Sequence, residues 1–283
     1  MTTSYQKIIA NLVRWGQTAD CLRAALMVGS QAREDHPADQ YSDLDVILIV
    51  DNPDYFVLAD DWLKEIGTVH ISFSESTFAG GKERRVLFDG ALDVDFIFLQ
   101  QDTPQRLRDV LEDDSIAILR RGYRMLIDHM ALQSALPQWE PKNNPGAVFA
   151  EQDYINLVND FWYHCVWAAK KIKRGELWVA KSCVDGYLKQ KLLSMIECQA
   201  HALHGWGYDT WHSGRFMEQW AEPWVVEKLR GCFADYCEAE IQSALLATME
   251  LFRSVAVEAA QRLSYPYPEN VDGYASAWVA TAF

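Results

Sequence analysis

Residues 22–50 read LRAALMVGSQAREDHPADQYSDLDVILIV, and this stretch decides the fold. Two apolar runs, Leu22 to Val28 and Leu44 to Val50, flank a polar segment, the pattern of two strands joined by a loop. Gly29-Ser30 ends the first strand, and Asp43-Leu44-Asp45 heads the second, thirteen residues after Ser30. Residues two apart in a strand share a face and lie about 6 to 7 Å apart, so Asp43 and Asp45 can hold divalent cations between them. Hard oxygen ligands suit magnesium. Val46 to Val50 is apolar on both faces, as in a central buried strand, so carboxylates at its end are costly unless a cation or hydrogen bonds satisfy them. A turn with Gly29 at its apex lets backbone N–H groups approach a phosphate, and a helix expected to start near Ser30 adds its positive end.

Further along, Val69 to Phe73, Arg84 to Asp89 and Ala91 to Leu99 read as strands, and Ser4 to Trp15 and Pro53 to Ile66 as helices. Asn52 is the expected N-cap of the second helix, ahead of a proline at its first position. Asp93-Val94-Asp95 precedes the apolar run Phe96 to Leu99, and both carboxylates share a face, so periodicity alone leaves open which joins Asp43 and Asp45. Three carboxylates on adjacent strands beside a Gly-Ser turn are what two-metal phosphoryl or nucleotidyl transfer needs. Two acids place the metals; a third binds the second metal or takes the proton from an attacking hydroxyl.

Gln133 to Gly146, with Pro137, Pro141, Pro145 and Asn143-Asn144, reads as an interdomain linker. This sets an α/β domain at 1–135 and a second domain at 147–283. In the latter the period becomes helical: Tyr154, Val158, Phe161, Cys165, Ala168 and Ile172 form one stripe, widened by Ile155, Trp162, Val166 and Ala169. That helix ends at Arg174-Gly175; Leu177 to about His201 makes a second and Ala239 to Leu263 another, as in an all-helical bundle. Trp162, Trp167 and Trp178 fit helix stripes and are assigned to the core.

The 283 residues carry 49% hydrophobic and 23% charged side chains, enough to bury sizeable cores and incompatible with disorder. Apolar runs fall far short of the ~20 residues of a membrane span, and no export signal is visible at Met1 to Ala10, so a soluble, cytoplasmic protein is expected. The six cysteines show no CxxC spacing and read as reduced thiols. The formal charge of −14 argues against a nucleic-acid partner and for a cationic one.

With Val28-Gly29-Ser30, Ser42-Asp43-Leu44-Asp45-Val46 and Val94-Asp95-Phe96, the chain resembles the nucleotidyltransferase superfamily, whose pattern is a Gly-Ser turn, an acid pair and a third carboxylate in an apolar strand. More closely, it is similar to the aminoglycoside 6-adenylyltransferase group, the streptomycin adenylyltransferase-like enzymes. The shared features are Gly29-Ser30-Gln31-Ala32, the Asp89-Gly90 turn, Asn159-Asp160-Phe161-Trp162-Tyr163, the stretch from Ala169-Lys170 through Arg174-Gly175-Glu176-Leu177 to Ala180-Lys181, and Gly214-Arg215-Phe216. An arginine follows the Gly-Ser pair in that group; Gln31 stands here, leaving the phosphate contact at that position open.

The resemblance implies a mixed-sheet nucleotidyltransferase domain followed by a helical substrate- and nucleotide-binding domain. It also implies Mg2+-dependent transfer of AMP from ATP to an aminoglycoside hydroxyl, with release of pyrophosphate. Asp43, Asp45 and Asp95 are then the metal ligands and catalytic acids, and the pattern places the third carboxylate at Asp95. Gly29 and Ser30 face phosphate, and Lys181 is a candidate reaching ATP. Among Glu151, Asp153, Asp160 and Asp185, Asp160 is the candidate contact for a cationic sugar. The alternatives are an acceptor of another class, such as a lincosamide or a protein, or a non-catalytic nucleotide sensor. The chain is expected as a monomer or homodimer.

Overall fold

A computed structural model describes residues 3–33, 36–76, 82–100, 122–134, 136 and 149–283. The chain divides into two compact units, Met1–Asn143 and Asn144–Phe283. Most of the expected linker, Gln133 to Gly146, lies outside the described residues.

The first unit contains α1 (Thr3–Gly16), β1 (Leu22–Val28), β2 (Leu44–Val50), α2 (Pro53–Leu58), α3 (Asp61–Ile66), β3 (Val69–Ser76), β4 (Lys82–Phe88), β5 (Leu92–Gln100) and β6 (Arg124–Asp128). The strands form one sheet in the order β3-β4-β5-β2-β1-β6, in which β2 and β5 run parallel and the other neighbours antiparallel. β1 and β2 coincide with the runs read from residues 22–50; β6 has no counterpart among the expected strands.

Strand alternation sorts the side chains into two layers. Val46, Leu48, Phe96 and Phe98 pack with Tyr5, Leu12, Phe56, Trp62 and Leu63 of α1–α3. Trp62 lies edge-on to Phe96 at 4.9 Å and to Phe56 at 5.5 Å. Ile47, Ile49, Leu26 and Val28 face the other way, with Leu132 and Leu136. Asp45 and Asp95 share the parity of this second face, so they rise on the side of the sheet away from α1–α3.

Three local expectations need correction. The helix expected from Pro53 to Ile66 is two helices, because Ala59 is extended (φ −94°, ψ 145°). The freed carbonyls are taken by side chains: Phe56 accepts from the Trp62 indole (3.2 Å), and Val57 from Ser74 (3.1 Å) and the buried Arg84 guanidinium, which also pairs with Asp60. Asn52 occupies the N-cap position but makes no side-chain cap bond. No α-helix follows Ser30 either; Gly29–Gln31 is a single 3-10 turn, closed by the amides of Ala32 and Arg33 on the Gly29 carbonyl (both 3.1 Å). The dipole of a full helix is therefore not available there.

The second unit is helical: α4 (Glu151–Lys173), α5 (Leu177–Ser182), a π-turn (Cys183–Tyr187), α6 (Leu188–His204), α7 (Met217–Trp220), α8 (Pro223–Leu229), α9 (Glu238–Leu263) and α10 (Glu269–Ala282). The central line of the predicted stripe of α4, Tyr154, Val158, Phe161, Cys165, Ala168 and Ile172, is buried, with Trp162 and Ala169; Ile155 and Val166 at its edges are partly buried. Acids in its first turn and lysines in its last complement the helix dipole, and Gly175, at φ +70°, follows its end. Phe161 stacks on Phe252 of α9 at 3.6 Å, and Arg253 forks onto both oxygens of Asp272 at 2.6 Å. The second predicted helix is present, helical without a gap from Leu177 to His204, with the π-turn Cys183–Tyr187 inside it. Trp162 is fully buried, as assigned, but Trp178 is 74% exposed, which removes it from the core. The six cysteines are unpaired.

Candidate active site

β1 and β2 are antiparallel neighbours, so the end of β1 lies beside the start of β2, and Val28 pairs with Asp45. β5 runs parallel to β2 on the other side in unbroken register, which sets Asp45 opposite Asp95. Asp43, immediately before β2, completes the group: one carboxylate oxygen from each of Asp43, Asp45 and Asp95 lies within 4.8 Å of the others.

The Gly29 turn fits against this cluster. Gly29 has φ +68°, and a Cβ there would stand 2.1 Å from Asp45 Oδ2. Only glycine both adopts that backbone without strain and leaves room for the carboxylate. Ser30 Oγ donates to the Asp43 carbonyl at 3.5 Å, and Gln31 Nε2 to the same oxygen at 3.3 Å, tying the turn to the strand that carries the acids. Gln31 thus holds the loop from a buried position.

Asp95 is 7% exposed, and its Oδ1 is buried without a hydrogen-bond partner among the described residues. Burial pushes its carboxyl up to about 7; Arg85 opposes the shift, while Glu83, Asp93 and Asp43 add to it. Arg85 Nη2 stands 3.6 Å from Asp95 Oδ2, a charge contact rather than a hydrogen bond. On its other side Arg85 pairs with Glu75 at 2.6 Å and Glu83 at 2.8 Å. Arg85 therefore draws one oxygen of Asp95, and the other meets no donor among the described residues.

Asp93 lies outside the group of three. Its backbone is clamped by Tyr5, whose hydroxyl donates to the Asp93 carbonyl (3.2 Å) and accepts from its amide (3.1 Å). Burial raises the Asp93 carboxyl above the usual range, Asp43 adds to the shift and Arg85 opposes it.

Three carboxylates this close repel one another, and a buried carboxylate oxygen without a donor is costly. A divalent cation relieves both terms, and an all-oxygen donor set suits magnesium or manganese. The residues present fit such a metal, and Asp43, Asp45 and Asp95 would hold it.

Lys181 and Asp160 belong to the helical unit. Lys181 donates to the Asp185 carboxylate and the Ala234 carbonyl. Asp160 accepts from Tyr187 Oη (2.8 and 2.9 Å) and pairs with Lys191 and His164, both at 2.7 Å. These partners, Lys191 and Tyr187 above all, hold its carboxyl below the usual range against the opposing effect of burial. Its charge is thus neutralised within the unit.

The residue that sequence reading missed is Arg85. The signal was present: the Asp89-Gly90 turn joins β4 to β5 with Phe88 opposite Leu92, and counting outward sets Arg85 opposite Asp95.

A family model described as streptomycin adenylyltransferase matches residues 2–281. The chain is 21% identical to an aminoglycoside 6-adenylyltransferase of Campylobacter jejuni, over 96% of this chain and 94% of that one. It is also 21% identical to the protein of the same name from Staphylococcus aureus, over 95% and 96%. Among solved structures, an aminoglycoside 6-adenyltransferase from Bacillus subtilis superposes with a TM-score of 0.46 at 14% identity, covering 98% of this chain and 96% of that one. The match of the family model across nearly the full length places this chain in the streptomycin adenylyltransferase family of nucleotidyltransferases.

Proposed function

We propose that this protein transfers the adenylyl group of ATP to a hydroxyl of an aminoglycoside, with Mg2+ held by Asp43, Asp45 and Asp95. The observation that carries this reading is the approach of those three carboxylates to within 4.8 Å beside the Gly29 turn. Magnesium, when bound, neutralises the triphosphate and aligns the α-phosphorus. The acceptor oxygen forms a bond to that phosphorus, the bond to the β-phosphate bridge breaks, and pyrophosphate leaves. The hydroxyl proton passes to Asp95 where that residue acts as the base; otherwise Asp95 completes the metal site and the proton leaves to water. Gly29 and Ser30 offer backbone N–H groups to phosphate oxygens.

The formal charge of −14 favours a protonated aminoglycoside over a polyanionic acceptor. Such a soluble enzyme of the cytoplasm, as monomer or homodimer, would meet its substrate after uptake. Lys181 and Asp160 belong to this reading only if they exchange their present partners for ligand.

The test follows pyrophosphate release from ATP with streptomycin, spectinomycin, lincomycin and candidate proteins. Turnover with streptomycin supports the assignment; turnover with lincomycin or a protein alone moves the acceptor to another class; and silence with every acceptor removes it. For a polycationic acceptor, KM should rise steeply with salt, since steering is screened within about 8 Å at physiological ionic strength. A neutral acceptor would be indifferent.

A further inference from the structure

The face of the sheet that carries the acids continues beyond them within the first unit. Phe73 of β3 pairs with Arg85, Arg85 with Asp95, Asp95 with Asp45, and Asp45 with Val28, so one row of side chains crosses five strands on one face. In the next row Ile71 pairs with Leu87, and Leu87 with Asp93. Ser72 and Ser74, of opposite parity, turn to the other face, where Ser74 donates to the Val57 carbonyl and Ser72 accepts from Arg84. Ile71 and Phe73 are 58% and 51% exposed, and with the partly buried Leu87 they belong to none of the buried clusters among the described residues. Contiguous exposed apolar side chains mark contact surfaces, and this one is continuous with the acid group.

The order of the row gives the patch its place in the reaction. The Gly29 turn, proposed to face phosphate, follows β1 at one end; Asp45 and Asp95 stand in the middle; Arg85 and Phe73 continue on the far side. In phosphoryl transfer the attacking oxygen and the leaving group lie in line on opposite sides of the phosphorus. With the phosphates at the Gly29 end, the acceptor hydroxyl comes from the β5 side, and the rest of the acceptor extends over β4 and β3. Phe73 is two strands from Asp95, about 10 Å at the usual strand spacing, a span that a molecule of several rings covers while one hydroxyl stays at Asp95.

Charge selects the acceptor. On this face of β3, β4 and β5, among the described residues, Glu75, Glu83, Asp93 and Asp95 stand against one base, Arg85. Arg85 is already engaged by Glu75, Glu83 and Asp95. Glu75, next but one to Phe73 along β3 and so on the same face, keeps a carboxylate that is 45% exposed. An open aromatic ring beside such a carboxylate receives an ammonium or guanidinium group over its π-face. A polyanion would be repelled there, and a neutral acceptor would leave the acidic excess unused.

We propose that Ile71, Phe73 and Leu87 form the platform on which a cationic, multi-ring acceptor lies, with the Phe73 ring under one of its positive groups and its reacting hydroxyl at Asp95. This rests on the adenylyl-transfer reading for the identity of the ligand, but the binding it asserts can be measured apart from turnover.

The experiment uses the full chain with Mg2+. Streptomycin binding is measured by calorimetry in the presence of α,β-methylene-ATP, and KM for streptomycin and ATP by pyrophosphate release, in the wild type, Phe73→Ala and Ile71→Lys. Both side chains are outside the buried clusters, and lysine is well tolerated on an edge strand, so both variants should fold. Phe73→Ala should raise Kd and KM for streptomycin about fivefold, the scale of one exposed cation–π contact, with the KM for ATP unmoved. Ile71→Lys should raise both by at least as much at low salt, and the effect should shrink at high salt as the added charge is screened. Wild-type Kd and KM for streptomycin in both variants, with the wild type turning over, would overturn the platform while leaving the transfer reading standing. A rise in the KM for ATP alone would overturn it too, by giving this face to the nucleotide. If the wild type binds streptomycin, loses affinity with Phe73→Ala and yet releases no pyrophosphate, the platform stands and the transfer reading falls. A wild type that binds no streptomycin overturns the platform outright.

Discussion

Asp45 Oδ2 occupies the space that a side chain on Gly29 would need, since a Cβ at Gly29 would come within 2.1 Å of it. The turn and the metal-ligand candidate are thus one steric unit, formed because Val28 and Asp45 are paired across β1 and β2. The Gly29 turn cannot take a side chain without moving the acid beside it.

Gly29→Ala should therefore damage the site more than the fold. The backbone strain of an alanine at φ +68° is about 1–2 kcal/mol, a modest loss for a unit with this core. The Asp45 carboxylate, by contrast, must leave the position it holds in the group of three. We expect loss of turnover by orders of magnitude with a Tm lower by only a few degrees. Normal turnover in this variant would show that turn and carboxylate do not compete for space.

Asp43→Asn and Asp45→Asn should each abolish transfer while leaving the metal-free protein as stable as the wild type or more so. Each removes a metal ligand and also one member of a group of like charges held within 4.8 Å. Thermal melts with and without magnesium check both halves: the variants should lose the rise in Tm that the metal gives the wild type. Near-wild-type turnover at saturating magnesium would remove the metal assignment.

Much of this site is legible in the sequence because it depends on local rules. Strand alternation puts Asp45 and Asp95 on a face, and two apolar runs after the acids mark the central strands. Arg85 was legible as well, by counting back from the Asp89-Gly90 turn, but that needs the hairpin register rather than a motif. The break between α2 and α3 was not: it depends on Arg84, distant in sequence, capturing the Val57 carbonyl. Nor was the exposure of Trp178, which stands in the first turn of its helix, where the periodicity of the helix does not say what covers the end. β6 is five residues without a strong pattern, recruited by the edge of β1.

Metal binding should depend on pH through Asp95. With its carboxyl raised to about 7 by burial, Asp95 is protonated at pH 6 and ionised at pH 8 in the metal-free protein, so affinity should climb across that interval as the proton is displaced. Stability of the metal-free protein runs the other way. A folded-state value above the unfolded ~3.9 gives a contribution fully present below pH ~4 and lost as pH rises through about 7. The difference in Tm between wild type and Asp95→Asn should open over that window and favour Asn above it. A difference that is flat with pH would place Asp95 in the ordinary carboxylate range.

Arg85 should act on the reaction through Asp95. Its charge holds the Asp95 carboxyl lower than burial alone would, so Arg85→Met should move the pH midpoint of metal binding upward and lower turnover at pH 7 more than at pH 8.5. Arg85→Lys keeps the charge and should restore most of the midpoint. A structural role alone would lower Tm in Arg85→Met without moving the profile.

The last prediction separates Asp95 from Asp93, which share a strand face. The β2–β5 ladder runs without a bulge from Leu44 opposite Val94 to Val50 opposite Gln100, so Asp45 faces Asp95, and Asp93 lies one pleat back toward the strand start. Asp95 has a buried oxygen without a donor among the described residues; Asp93 lies at the clamp that Tyr5 places on the strand's backbone and outside the group of three. Asp95→Asn should lower kcat by orders of magnitude with little change in ATP affinity, because the loss falls on the transition state while Asp43 and Asp45 keep a metal site. Asp93→Asn should be mild, since it removes a charge that raises the Asp95 carboxyl and touches no proposed ligand. Pyrophosphate release and ATP titration on both variants decide the matter. A severe loss at Asp93 with a mild one at Asp95 would put the third carboxylate one pleat back, against the register in which Asp45 and Asp95 meet.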